Sequence, residues 1–429
     1  MTQAYHPKQI IYWRKAKPRN DKDIMPNYIT QTGDIAAQPV RWRVNDFKPE
    51  PQRLILVSLT DGSQYPLSYT SLPGYNEDVL AEVKAENAKA NGEKYKSAKV
   101  IRDIGLMTDW YWSQSAMRWH SSGEQVAIML KAFDNKDRWI ATIDFEKKAL
   151  VPQHRLHDNA WVNYAFNDFG WLNTSNTLYF LSEESGYSHL YRKSLTSRKA
   201  EKLTRGTFEV SNPTLTTDDN YLYFKANASH PGVYEIYRLN LANNNTEQLT
   251  KLGGMTDYTL SGDEQKLLLT HSSNLMPEDL YLMAAAPDAE VVRLTDTVSA
   301  EFKQLPLIAP QVVAVPSNHA KQPIFSKVYY PANYKQGEPR RAVIFNHGAG
   351  YLQNSDLGWS GYFREFLFHN LLAQQGYVVM DMDYRASKGY GRDWRTAIYR
   401  QMGTPEIEDL ADGVDWLVDN ANVDRKRVG

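Results

Sequence analysis

Two architectures in series are expected from this sequence: a β-propeller over residues 1–305, then the start of a parallel strand–helix sheet over 306–429. The first expectation rests on a repeat. Leu178-Tyr179-Phe180, Leu222-Tyr223-Phe224 and Leu267-Leu268-Leu269 mark one strand of each unit, and Leu190-Tyr191, Ile236-Tyr237 and Leu280-Tyr281 mark the next. Leu203-Thr204, Leu249-Thr250 and Leu294-Thr295 mark a third position. All three sets recur every 44–46 residues and stay in register. Several short strands in a unit of that length, punctuated by Asp, Asn and Gly, is the pattern of propeller blades. The second expectation rests on a change of period. Past a stretch holding Pro306, Pro310, Pro316 and Pro323, apolar strands alternate with helical segments, which means a parallel sheet.

Composition fits this division. At 429 residues, two or three domains are expected. Eleven Trp and 27 Tyr favour strands over a helical bundle. The net charge of −1 offers no electrostatic footprint for nucleic acid. With no cysteine, neither disulfides nor a Cys-ligated metal site can form. No run approaches the 18 or so apolar residues of a membrane span, and Met1–Pro7 carries no apolar leader core. These observations point to the cytoplasm or periplasm. Roughly five or six blades are expected against the usual four to eight, so blades ahead of residue 1 are left open.

In chain order, Gln9–Trp13, Pro39–Val44 and Arg53–Val57 read as strands, with Asp61-Gly62 as a hairpin turn. Residues 76–92 read as a short solvated helix with Asn76 near its start and Gly92 as its stop. Val126–Leu130 and Trp139–Asp144 form a looser unit ahead of the three clear repeats. The domain boundary is expected near 300–320.

The last segment carries the chemistry. Ala342–Phe345 is a buried strand that runs into His347-Gly348-Ala349-Gly350, and a helix is expected over Phe363–Gln374 with a stop at Gly376. The strand Tyr377–Asp381 follows. A helix from about Pro405 to Asn420 then buries Ile407, Leu410, Ala411, Val414 and Leu417, with Thr404 as N-cap. A small-residue turn after a parallel strand lies where such sheets carry function. In α/β-hydrolases this turn donates a backbone N–H to the oxyanion, so the fold class expected is a β-propeller followed by the N-terminal part of an α/β-hydrolase fold.

Phe345–Gly350, Asp383–Gly391 and Glu408–Leu417, together with Phe180–Tyr191 upstream, resemble the prolyl oligopeptidase family of serine peptidases, in its dipeptidyl peptidase IV and acylaminoacyl peptidase branches. The resemblance implies hydrolysis of short peptides, after Pro or Ala or by release of an N-terminal dipeptide or acylated residue. A propeller would restrict access to a Ser-Asp-His triad. It implies an oxyanion-side loop of His347, Gly348, Ala349 and Gly350, with the Ala349 N–H as donor. Tyr351, Glu183 and Glu184 are substrate-binding candidates. The two glutamates lie in a strand-pair segment rather than in the paired-glutamate motif that binds a free amine, so a solvated hairpin edge is the competing reading.

No Gly-x-Ser-x-Gly occurs in the 429 residues, and Gly358-Trp359-Ser360-Gly361 lies in a loop before a helix. The nucleophile precedes the acid and histidine in this fold, so all three are expected after Gly429 and this polypeptide is expected to be inactive alone. The partner expected is a peptide, with no nucleic acid, membrane, cofactor or metal; the sequence fixes no oligomeric state. His154 and His157 read as ordinary histidines. Two other classes stay open: a non-catalytic propeller that binds a peptide or protein, and an esterase with a β-rich cap.

Overall fold

The computed structural model describes residues 8–15, 22–42, 52–107, 115–335 and 337–429. The chain divides into two compact units, Met1–Tyr164 and Ala165–Gly429.

In the first unit, Gln9–Lys15, Gln52–Ser58 and Gln64–Leu67 form a three-stranded antiparallel sheet, and Lys22–Asn27 pairs with Ala36–Trp42. Residues 43–44 of the expected second strand lie outside the described residues. A further antiparallel sheet runs Ala149–His157, Asp137–Asp144, Val126–Ala132 and Ile104–Leu106, with Met117–Trp119 also against Val126–Ala132. Its core is Val126, Ile128, Leu130 and Trp139, closed by Leu54 and Leu56. The expected helix is shorter than its sequence signal, spanning Ala81–Ala90 with Leu80 rather than Asn76 at its cap and no buried residue. His157 hydrogen-bonds Asp137 and Asn159 at 3.1 and 3.2 Å.

The second unit begins with three successive four-stranded meanders. The first is Phe169–Trp171, Thr177–Ser182, His189–Ser194 and Glu201–Lys202. Val210–Leu215, Tyr221–His230, Val233–Asn240 and Thr246–Gln248 form the second, and Met255–Leu260, Lys266–Ser273, Met276–Ala284 and Val292–Arg293 the third. A single parallel pairing, Tyr234 with Met255, links the last two.

The repeated Leu-Thr pair has a mechanical reason. The leucine N–H of each pair donates to the third strand: Leu203 to Leu190, Leu249 to Ile236, Leu294 to Leu280, each at 2.8 Å. The threonine hydroxyl then accepts that strand's own N–H: Leu190 to Thr204, Ile236 to Thr250, Leu280 to Thr295, at 3.0, 2.9 and 2.9 Å. Each hydroxyl also meets the polar residue one position earlier, His189, Glu235 or Asp279. One threonine per repeat thus ends the fourth strand, and Thr204 and Thr250 satisfy a buried donor that would otherwise cost about 1–3 kcal/mol, whereas the Thr295 bond is exposed.

After the short turn of helix Ala300–Lys303, the architecture changes to a five-stranded mixed sheet. Its spatial order is Gln311–Val315, Ile324–Tyr329, Val378–Met382, Arg340–Phe345, Val423–Val428. The first two pairings are antiparallel and the last two parallel. The helix Phe363–Gln374 covers one face, around Tyr329, Phe366, Ala373 and Val379, and Gly376 at φ +87° turns the chain back into the sheet. The helix Thr404–Ala421 covers the other, around Val378, Met380, Met382 and Leu417.

That second helix differs from its sequence reading in two ways. Its cap is Gly403, whose N–H is accepted by Glu406 at 2.8 Å, so Thr404 is already helical. Its buried face is rotated: Ile407 is 64% exposed, whereas Asp409, Asp412 and Gly413 are buried. Asp409 accepts the Arg385 N–H at 2.6 Å and its Nε at 2.9 Å, and Asp412 accepts two bonds from Asn318. Gly413 leaves room for Met382, whose sulfur would lie 2.5 Å from a Cβ. Leu417 is buried and Leu410 packs against the core as expected, but Ile407 and Ala411 are exposed, and partnered carboxylates occupy buried positions that an apolar stripe does not mark.

We expect Thr250→Val to lower stability by about 1–3 kcal/mol in urea unfolding and Thr250→Ser to retain most of it, because Thr250 and Glu235 are both 1% exposed. Equal midpoints for the valine variant and the parent would count against this role.

Candidate active site

The turn after Arg340–Phe345 and the turn after Val378–Met382 leave the same end of neighbouring parallel strands. They bring His347 and Asp383 together, with Nε2 3.2 Å from Oδ1. Asp383 is fully buried and organises the region: it accepts the Asn354 N–H at 2.7 Å, the Ser355 N–H at 3.0 Å and the Tyr390 hydroxyl at 2.5 Å. The other imidazole nitrogen of His347, Nδ1, lies 2.9 Å from the Gly348 carbonyl. Tyr384 stacks on the ring at 4.9 Å, and its hydroxyl donates to the His347 carbonyl.

Burial alone would pull the His347 pKa down, but the Asp383 bond and charge and the Gly348 carbonyl lift it above the ordinary histidine value. Two acceptors on two ring nitrogens suit an imidazolium. Behind it, burial pushes Asp381 up to about 7, and Asn354 Nδ2 reaches both of its oxygens at 3.0–3.1 Å. His347 is therefore an anchor whose ring atoms are committed, rather than a base poised to take a proton.

This anchoring sets the turn. The Gly348 carbonyl faces the His347 ring, and in a planar trans peptide the Ala349 N–H points the opposite way. Gly348 and Ala349 are exposed, whereas Gly350 is buried. Gly350 sits at φ +100°, a conformation L side chains rarely adopt, and its N–H donates to Ala386 at 2.7 Å. The result is a main-chain donor directed away from the His347 ring on a fixed, exposed turn.

The other candidates separate. Tyr351 ends the turn, with its ring centroid 5.9 Å from the Arg395 guanidinium carbon. Glu183 is 2% exposed and its Oε2 lies 2.9 Å from Arg395 Nη2. Glu184, by contrast, is exposed, with the Ser182 hydroxyl at 3.4 Å. The solvated hairpin edge thus describes Glu184 alone; Glu183 is buried because a guanidinium neutralises it. Sequence reasoning missed Asp383, Asn354, Tyr390 and Arg395 as site residues. Asp383 and Tyr390 stood inside the quoted motif, and only their convergence on His347 assigns them work. Glu209, which accepts the Gly391 N–H at 3.0 Å, was missed too; burial and the nearby Glu183 charge push it up to about 7.

Because the folded pKa of His347 is raised, its contribution to stability is complete below the unfolded value and lost as pH rises through the folded one. Asp383→Asn removes the raising partner and leaves the burial. We expect His347 in that variant to titrate below the ordinary histidine value by NMR, with the pH-dependent stability above pH 6.5 reduced. An unchanged His347 titration would refute the pairing.

With this geometry in view, the likeness to known proteins can be stated. Residues 82–278 match the dipeptidyl peptidase IV (DPP IV) N-terminal region, and residues 365–429 match the prolyl oligopeptidase family, so the His347 turn lies between the two matches. Dipeptidyl peptidase 4 of Trichophyton tonsurans is 22% identical over 324 residues, covering 72% of this chain and 41% of that protein. Dipeptidyl peptidase 8 of Mus musculus is 25% identical over 241 residues, covering 53% of this chain and 27% of that protein. The chain thus spans less than half the length of these curated relatives. The crystal structure of Porphyromonas gingivalis dipeptidyl peptidase 4 superposes with a TM-score of 0.74 at 14% identity, covering 100% of this chain and 55% of that one, a likeness of fold. A putative dipeptidyl aminopeptidase IV from Bacteroides ovatus superposes equally well at 15% identity. The chain belongs to the prolyl oligopeptidase family of serine hydrolases, with a dipeptidyl peptidase IV N-terminal region followed by part of the peptidase domain.

Proposed function

We propose that this chain supplies the substrate-gating propeller, over residues 1–305, and the oxyanion side of the catalytic domain, over 306–429, of a serine peptidase acting on short peptides. Release of N-terminal dipeptides, or cleavage after Pro or Ala, is the activity proposed for the protein that carries it. The observation that carries this reading is the His347 turn, anchored so that the Ala349 N–H faces outward. The three meanders, with one Leu-Thr lock each, support reading the preceding region as blades.

In this mechanism a serine hydroxyl attacks the peptide carbonyl while a histidine takes its proton, and the carbonyl oxygen becomes an oxyanion. The chain's own part is to hold that oxygen. A single preorganised N–H of this kind is commonly worth about 3–4 kcal/mol in the transition state. His347, held between Asp383 and Gly348 and stacked on Tyr384, keeps the donor from turning inward. No Gly-x-Ser-x-Gly is present in the 429 residues, so the proposal places the Ser, Asp and His of the triad outside them.

The test has two arms. The 429-residue polypeptide should show no stoichiometric acyl-enzyme burst with an activated ester, whereas a polypeptide continuing through the nucleophile elbow should hydrolyse Pro- or Ala-linked peptide anilides. In the longer polypeptide, Ala349→Pro deletes the donor and should lower kcat by about 10²–10³. A burst from the 429 residues alone, or full activity in the proline variant, would sink the assignment. A reading frame that stops at Gly429, with peptide binding and no turnover, would make the protein a binding propeller instead.

A further inference from the structure

Glu183 and Arg395 form a fully buried ion pair, each side chain 2% exposed, in the second unit. Glu183 leaves the strand Thr177–Ser182 of the first meander there, and Arg395 lies on the short helix Arg392–Thr396 after Gly389-Tyr390-Gly391. A backbone bond also joins the two segments: the Arg392 N–H donates to the Gly186 carbonyl at 2.8 Å. Next to it the Gly391 N–H donates to the Glu209 carboxylate at 3.0 Å. A Cβ on Gly391 would lie 2.8 Å from the Gly186 oxygen and from the Tyr187 ring, so only glycine allows the approach.

The Arg392–Gly186 backbone bond and the close approach at Gly391 already hold the segments together, and desolvating two charges is costly. A buried ion pair is therefore a poor choice if adhesion is all that is required, since an apolar pair of similar volume does that as well or better. What the pair adds is direction. A carboxylate on Nη2 anchors that end of the planar guanidinium, 2.9 Å from Glu183 Oε2. A guanidinium face can serve an aromatic ring, and the Tyr351 ring centroid lies 5.9 Å from the Arg395 guanidinium carbon. Tyr351 closes the turn that begins at His347.

We propose that the Glu183–Arg395 pair is a positioning device for Tyr351, so that a residue of the first meander sets the side-chain wall of the oxyanion-side turn. Tyr351 then contacts the peptide next to the scissile carbonyl, and the Ser182–Gly186 turn helps determine which side chains are accepted there. The contact with substrate rests on the peptidase reading above; the placement of Tyr351 does not.

The 429-residue chain labelled with 3-fluorotyrosine tests the placement by ¹⁹F NMR, with Tyr351→Phe assigning the resonance. In Glu183→Gln and in Arg395→Met, the Tyr351 line should shift and change width. The line of Tyr234, whose hydroxyl donates to Gln353 at 2.7 Å, should stay where it is. Arg395→Lys keeps the charge and loses the planar guanidinium, so a displaced Tyr351 line there with the fold intact carries the claim even if the other variants fail to fold. An unmoved Tyr351 line in folded variants overturns it. In the polypeptide that contains the nucleophile, Glu183→Gln should lower kcat/KM for peptide anilides roughly tenfold, mainly through KM. If the parent hydrolyses no peptide, the peptidase reading fails while the ¹⁹F result still decides the strut. If it does and KM is unchanged, Tyr351 has no part in specificity.

Discussion

The Asp383 carboxylate is the interaction on which the C-terminal half depends. It is buried to the last atom, yet it accepts two main-chain N–H bonds, a tyrosine hydroxyl and an imidazole. Four donors replace the water it gave up, which is what makes a buried charge tolerable. Through those bonds one side chain fixes three segments: the His347 turn, the 354–355 loop and Tyr390. The orientation of the Ala349 N–H is a consequence two bonds removed.

Buried polar groups held by polar partners recur along the second unit. Asp409 holds Arg385, Asp412 holds Asn318, and Glu183 holds Arg395. In the meanders, Thr204, Thr250 and Thr295 each close a strand end against the polar residue that precedes the third strand's apolar signature. Hydrophobic burial positions the layers, but polar partners decide which residues face which neighbour. On the helix Thr404–Ala421 the two aspartates are buried with their partners, while Ile407 is left exposed.

Much of the fold was legible because it follows local period. The repeat of Leu-Tyr-Phe, Leu-Tyr and Leu-Thr found three meanders, and the apolar run to Phe345 found the strand behind the turn. Helix Phe363–Gln374 and its stop at Gly376 were readable from helix formers followed by glycine. The rotated face of Thr404–Ala421 was not, because its pairing depends on Asn318 and Arg385, far away in sequence. For the same reason His347, Gly348, Ala349 and Gly350 were found by motif, while Asp383 and Arg395 were not. A carboxylate or guanidinium carries no local sign of what it will meet. Glu183 shows the limit best: beside Glu184 it looks like a charged hairpin, and only Arg395, 212 positions on, makes it a buried one.

The central claim is that the turn from His347 to Tyr351 receives the oxyanion. A crystal structure of the polypeptide carrying the nucleophile, bound to a peptide boronate or aldehyde, tests it most directly. The account expects a tetrahedral oxygen about 2.7–3.1 Å from the Ala349 nitrogen, with His347 still on Asp383. A tetrahedral oxygen held by other donors, with the Ala349 N–H facing inward, would contradict it.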